Sequence, residues 1–192
     1  MKADIAYLFT TFPKSTELFM QREITSLRAR GAAVRIYSLW GGGGEFEGVR
    51  VRTFPKWRLV ELLWLAPANA CRWPGLFLRL AWGLCTRRPP SWLNLGENLL
   101  GAAFATVFAR HFLAERPALF HAAWGGAPAT AAWLYWRFDG QPYSLGCHAY
   151  DVYQNGGDWW LDKKAAAARF VHTSTAMARD TLAARGVPAE KI

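Results

Sequence analysis

Cysteine is scarce in this sequence. Its three copies, Cys71, Cys85 and Cys147, are odd in number, far apart and in no CxxC pair. That argues against a disulfide framework and suits a reducing, cytosolic setting. Acids are also few: 14 Asp and Glu stand against 23 Lys and Arg, a net charge of +9. Long apolar runs are missing. The longest clean stretch, Asn98 to Ala109, falls well short of the roughly 20 residues that a membrane-crossing helix needs. The opening MKADIAYLF has too short an apolar core, and no small-residue cleavage site, for a signal peptide. No GK[ST] or GxGxxG frame surrounds the four glycines at 41–44, so they read as a flexible connection rather than a phosphate cradle.

What is present is apolar mass. Hydrophobic residues make up 52% of the 192, enough for one full domain with a substantial core. The positive charge is unevenly spread. Between Arg50 and Arg116 ten Lys and Arg face only Glu61, Glu97 and Glu115, and such an excess favours anionic partners.

Along the chain, strand and helix patterns alternate. Ile5–Phe9 reads as a buried parallel strand, broken at Thr10–Pro13. Ser15 or Thr16 can then cap a helix that carries Phe19, Ile24 and Leu27 on one face and stops at Gly31. Ala33–Leu39 is the next strand, and Val49–Phe54 alternates as a half-exposed one. From Trp57 to about Ala114 the pattern is helical, with breaks at Pro67, Pro74-Gly75 and Arg88–Pro90 suggesting three helices. This middle holds Trp57, Trp64, Trp73, Trp82 and Trp92. Three readings suit it: tryptophans buried in the insert's own core, an interface with an anionic membrane, or a nucleic-acid platform. No nucleic-acid-binding frame is visible, and nucleic acid is not expected as a partner. Strands at Leu119–Trp124, Gln141–Cys147 and Arg169–Thr173 then alternate with helices at Pro128–Phe138 and Trp159–Ala168, and Ser174 caps a last helix. The whole is an α/β fold, a Rossmann-like parallel sheet flanked by helices with a Trp-rich helical insertion at about 55–115.

Three loops fall at the C-terminal ends of these strands, where open α/β sheets bind ligands. TTFPKSTELF offers a helix N-terminus with Lys14 beside it, or an ordinary capped helix start. HAAWGGAPAT lets a ligand approach Gly125 and Gly126, while His121 inside the strand suits a core histidine bonded to a backbone carbonyl. GCHAYDVYQNGG puts His148 at a strand end, and Asp151 can orient it, contact a sugar hydroxyl or cap the next helix. Cys147 and His148 are adjacent on a strand and point apart, which does not suit one shared ion, and no metal is expected.

Taken together, these segments carry a resemblance. IAYLFTTFPKSTELFMQREITSLRARG resembles the opening of bacterial family 4 glycosyltransferases of the exopolysaccharide and colanic-acid type. FHAAWGGAPATAAWLYWRFDGQPYSLGCHAYDVY is similar to their HAHFxxxPATxA…GxPFSFTxHAxDIY segment, and ARFVHTSTAMARDTLAARGVPAEKI to their next strand and helix. The resemblance covers about 1–40 and 117–192 and leaves the insertion aside. It implies a glycosyltransferase B fold of two Rossmann-like halves that retains anomeric configuration and needs no metal or other cofactor. The N-terminal half receives a glycan or lipid-linked acceptor, and the C-terminal half binds the nucleotide sugar through a Glu-x7-Glu pattern. By matching position, His148 reaches the donor sugar and Asp151 supports its loop, these two being the catalytic candidates. Lys14, Ser15, Thr16, Glu17, Trp124, Gly125 and Gly126 line the acceptor side. The second histidine of the family's HAH pattern is Ala123 here, so its role is absent or relocated. No Glu-x7-Glu pattern or second Rossmann unit occurs in the 192 residues, so the expectation is an N-terminal, acceptor-side domain that is incomplete by itself. The implied setting is exopolysaccharide or envelope assembly, cytoplasmic or at the inner face of the cytoplasmic membrane. The alternative is a non-catalytic membrane- or glycan-binding module built on the basic insert.

Overall fold

In the computed structural model, which describes residues 4–192, helices pack on both faces of a seven-stranded sheet. Its strands are β1 (Asp4–Phe12), β2 (Ala33–Gly42), β3 (Glu45–Phe46), β4 (Val49–Thr53), β5 (Leu119–Ala122), β6 (Tyr143–Gly146) and β7 (Val171–His172). Their spatial order is β3-β4-β2-β1-β5-β6-β7, and every pairing is parallel except the short β3–β4 hairpin at one edge. The chain winds outward from β1 through β2 to β4, then returns to lay β5 on the other side of β1. The winding reverses between β1 and β5, so the connections leaving these two strands diverge and open a crevice at their C-terminal ends.

Alternation along the strands sorts the core into two layers. On one face, Ala6 and Leu8 of β1 and Tyr37 and Leu39 of β2 pack with helices α4 (Trp92–Glu115) and α5 (Ala127–Asp139). On the other, Tyr7 and Phe9 with Val34 and Ile36 cover Met20 and Ile24 of α1 (Leu18–Ala29). The insertion between β4 and β5 consists of a 3-10 turn at Lys56–Glu61, then α2 (Leu62–Arg72), α3 (Pro74–Thr86) and the long α4. Phe104, Phe108 and Phe112, four residues apart on α4, are all buried, and burial of each such ring contributes about 1.5–3 kcal/mol. Ser91 caps α4 by accepting the Asn94 N–H at 3.1 Å. At the far end Glu115 meets Arg35, Arg52 and Tyr37, pinning the helix to β2 and β4. Midway, Gly101 lets α4 touch the next helix: a Cβ there would stand 2.3 Å from the Ala127 carbonyl oxygen.

Several local expectations change. The tryptophans of the insertion are not its core: Trp57, Trp64, Trp82 and Trp92 are 56–85% exposed. α2 runs through Pro67, which removes one hydrogen bond without ending the helix. Neither Ser15 nor Thr16 caps α1. A turn from the Glu17 N–H to the Lys14 carbonyl (3.1 Å) puts Glu17 at the cap position instead. Thr175, not Ser174, caps α8 (Ala176–Ala184), accepting the Ala178 N–H at 3.1 Å. Gly41 and Gly42 are not a flexible connection. β1 continues to Phe12 and pairs with them, so Gly41 and Gly42 end β2. No helix among the described residues is long and apolar enough to cross a membrane.

Candidate functional site

Three connections meet over the β1–β5 crevice: Pro13–Glu17 after β1, Ala123–Gly126 after β5, and Cys147–Ala149 after β6. Asp151 joins the last two. It lies in the first turn of α6 (Tyr150–Tyr153) and is almost wholly buried. Its Oδ1 accepts the backbone N–H groups of His148 and Ala149, both at 3.0 Å, and its Oδ2 accepts that of Gly125 at 3.1 Å. Burial pushes this carboxyl above its ordinary range, and the three N–H donors pull it back. The N-cap of α6 is Ala149, and the N–H groups that Asp151 accepts belong to the residues before the helix and to a neighbouring loop, so Asp151 fastens two loops together rather than capping α6.

The loop so fixed presents His148. Its ring is buried, with neither nitrogen hydrogen-bonded to the protein, and it is enclosed by the rings of Phe19 (5.1 Å between centroids), Trp124 (5.3 Å) and His172 (5.4 Å). Burial in this aromatic setting, helped by His172, lowers its pKa to about 4. The imidazole is therefore neutral at pH 7, with one N–H and one lone pair to offer. Trp124 also stacks on Tyr150 at 5.1 Å, so an aromatic row runs from Phe19 past His148 to α6. His121 is a core residue, but its Nδ1 pairs with the Ser144 hydroxyl at 2.8 Å rather than with a backbone carbonyl. Cys147 lies beyond the end of β6, buried in the apolar core, where burial raises its thiol pKa far above the usual value.

At the lip, Lys14, Ser15 and Thr16 are exposed, while Glu17 is buried with Lys14 3.4 Å from its Oε1. The structure brings Trp124, Gly125, His148 and Asp151 together directly. Phe19 connects the β1 side to them, and Lys14, Ser15 and Thr16 stand at the rim.

Beneath Gly125 and Gly126 lies a network that the sequence did not announce. Lys164, on α7 (Leu161–Ala167), is fully buried. Its ammonium donates to the Gly125 carbonyl (2.6 Å), Asn98 Oδ1 (2.9 Å), Thr130 Oγ1 (3.2 Å) and Asp158 Oδ1 (3.2 Å). Asn98 also donates to Asp158 Oδ1 at 3.0 Å, tying the insertion to this base. Beside it, between the start of α4 and α6, is a cavity of about 280 Å³ lined by Pro90, Leu93, Glu97, Tyr150, Gln154 and Asp158 among others. Half-buried Glu97 has its pKa raised by that burial and by nearby Asp158. In sequence, Lys164 sits in a Lys-Lys pair that reads as a solvated helix face. Only the pairing of GGDWW with a residue of the insertion sixty positions earlier makes it internal.

The chain resembles known proteins in sequence pattern and in fold. A family model described as "Glycosyltransferase Family 4" matches residues 17–192. Among solved structures, the lipopolysaccharide outer core galactosyltransferase WaaB in its apo form superposes with a TM-score of 0.56 at 10% identity. The match covers 100% of this chain and 44% of that one, so the chain spans less than half the length of its structural relative. No curated protein matches the sequence. The Rossmann-like sheet thus matches a glycosyltransferase B fold, and the chain belongs to glycosyltransferase family 4.

Proposed function

We propose that the chain is the acceptor-side domain of a retaining glycosyltransferase. In this reading it moves a sugar from a nucleotide-sugar donor to a glycan or lipid-linked acceptor in exopolysaccharide or envelope assembly. The observation that carries it is His148: a neutral, buried imidazole with no protein partner, held at the winding reversal by a carboxylate whose hydrogen bonds go to backbone. Ring nitrogens spared from structural bonding at that position support a role toward a substrate. A neutral ring suits a hydrogen bond to a donor-sugar hydroxyl better than it suits proton donation as an imidazolium, because so little of it is charged at pH 7. Asp151 positions the ring through the backbone. Lys14, Ser15, Thr16, Glu17, Trp124 and Gly126 border the acceptor's approach. The nucleotide sugar is held by a second Rossmann-like half, where helix N-termini and cationic side chains steady the departing diphosphate.

In the full-length protein, His148→Ala is expected to lower kcat about a hundredfold, the scale of one lost oriented hydrogen bond, while circular dichroism stays unchanged. Transfer that continues at the wild-type rate overturns the role of His148.

The exposed apolar residues of the insertion support a membrane component to this function. Trp57, Leu63, Trp64, Leu78, Trp82, Trp92 and Leu93 are each more than half exposed, with Arg72 on α2, Arg79 on α3 and Arg87 and Arg88 in the connection to α4 close to them in sequence. Interfacial tryptophans with arginines fit an anionic bilayer surface. Co-sedimentation with vesicles should rise with the anionic lipid fraction and fall as salt is added. Binding indifferent to both removes the membrane reading and its inner-face location.

A further inference from the structure

A second cleft lies well away from the crevice. α5 starts at the crevice and runs for 13 residues, so its far end stands about 20 Å from Gly126, on the side where β6 begins. There the end of α5 and the first turns of α3 enclose a cavity of about 520 Å³, within the roughly 300–1,000 Å³ of ligand sites. Trp73, Leu76 and Arg79 line it from the α3 side and Trp136 and Arg137 from α5, while Gly75 and Gly140 add no side chain.

The chemistry of this lining is one-sided. Arginine and tryptophan side chains donate hydrogen bonds and accept none, and leucine does neither. The cleft therefore holds two full positive charges and no side-chain acceptor. Arg79 spends its Nε on the Gly75 carbonyl at 3.0 Å, which leaves its terminal nitrogens for another partner. Half-buried Arg137 has no ion pair or hydrogen bond among the described residues and only overlies the Trp136 ring, 5.7 Å from its centroid. Asp139, the carboxylate next to Gly140 in the chain, is engaged by Arg116 at 3.4 Å. The Trp73 ring is braced by the Arg72 guanidinium at 4.5 Å and the Phe138 ring at 4.9 Å. Two guanidinium groups that share a space without a carboxylate repel each other, and an anion between them relieves that repulsion. A phosphate ester suits the place better than a carboxylate. It brings more acceptor oxygens to the two guanidinium forks, and its organic part has indole faces to lie on.

We infer that this cleft binds a phosphate ester, its phosphoryl oxygens held by Arg79 and Arg137 and its organic part resting on Trp73 and Trp136. The site is separate from the crevice and does not rest on the transferase reading. A soluble phosphate ester and a phospholipid headgroup present the same group to it. Leu78, 71% exposed and adjacent to Arg79, brings the cleft close to the apolar surface of the insertion, where a headgroup would lie on the membrane reading.

Two titrations at one fixed salt concentration test the site without requiring transfer. Calorimetry with glycerol 3-phosphate probes the soluble source, and co-sedimentation with phosphatidylcholine vesicles carrying phosphatidic acid probes the headgroup. In at least one of them Arg79→Gln and Arg137→Gln, on different helices, should each weaken binding roughly thirtyfold, the scale of a hydrogen bond to a charged group. Arg88→Gln, an exposed arginine outside the cleft, measures what one surface charge is worth and should cost at most about fivefold. Circular dichroism checks that each variant is folded, and either cleft variant suffices if the other is not. Arginine-dependent binding of glycerol 3-phosphate identifies a soluble ligand. The same dependence seen only with vesicles identifies a headgroup. No binding in either titration, or equal losses for all three variants, overturns the site. Because neither readout involves sugar transfer, that result leaves the transferase reading untouched.

Discussion

Replacing Lys164 by methionine is expected to lower unfolding free energy by about 3–5 kcal/mol, the scale for removing one partner of a buried ion pair. The ammonium is the common donor for Asp158, Asn98, Thr130 and the Gly125 carbonyl, and its side chain is 1% exposed. A methionine fills similar volume but leaves the buried Asp158 carboxylate without its cationic partner. The double change Lys164→Met with Asp158→Asn should recover much of the loss, because the stranded charge rather than the missing attraction is the main cost. Urea unfolding of the three proteins measures this directly. A midpoint for Lys164→Met within experimental error of wild type would sink this account of the Lys164–Asp158 pair.

The second large effect is acid sensitivity. Burial lowers the pKa of His121 to about 3 and that of His148 to about 4, with His172 adding to both. In the unfolded chain both rings return to about 6.5. As pH falls below that value, the unfolded state takes up protons that the folded state refuses, so stability declines and goes on declining until the folded values are reached. The contribution is intact above about pH 6.5 and is lost between there and about pH 3. His148 alone corresponds to roughly 3 kcal/mol at the low end and His121 to somewhat more, together comparable with the whole stability of an ordinary domain. Denaturation midpoints measured from pH 7 to pH 4 should fall steeply, and His121→Gln should flatten the slope. A midpoint constant across that range would mean that the folded rings accept protons freely.

How much of this could be read from the residues differs by feature. β1 and β2 are apolar runs bounded by breakers, and their alternating faces follow from strand geometry alone. The reversal beside β1 was not read from the residues, since strand patterns do not say on which side of β1 the chain returns after a long insertion. His148 and Asp151 stood out because a strand end is where such sheets expose side chains. Asp151's bond to the Gly125 N–H did not, since nothing in HAYD says that a neighbouring loop passes within 3.1 Å. Lys164 and Asp158 were opaque for a related reason. Each is an ordinary surface type, and the partners that hold them inside, Asn98, Thr130 and the Gly125 carbonyl, lie on other elements, α4 being brought against α5 at Gly101. The exposed tryptophans were ambiguous by composition, because one abundance of aromatic residues serves a core or a surface equally well.

The first turns of α4 work as a ruler. Leu93, 73% exposed, and Glu97, at the edge of the cavity, are four residues apart on one helix, a rise of about 6 Å. On the membrane reading, Glu97 and the cavity beside it therefore stand about one helical turn from the surface on which Trp92 and Leu93 rest, and a rigid helix rather than a loop sets that height.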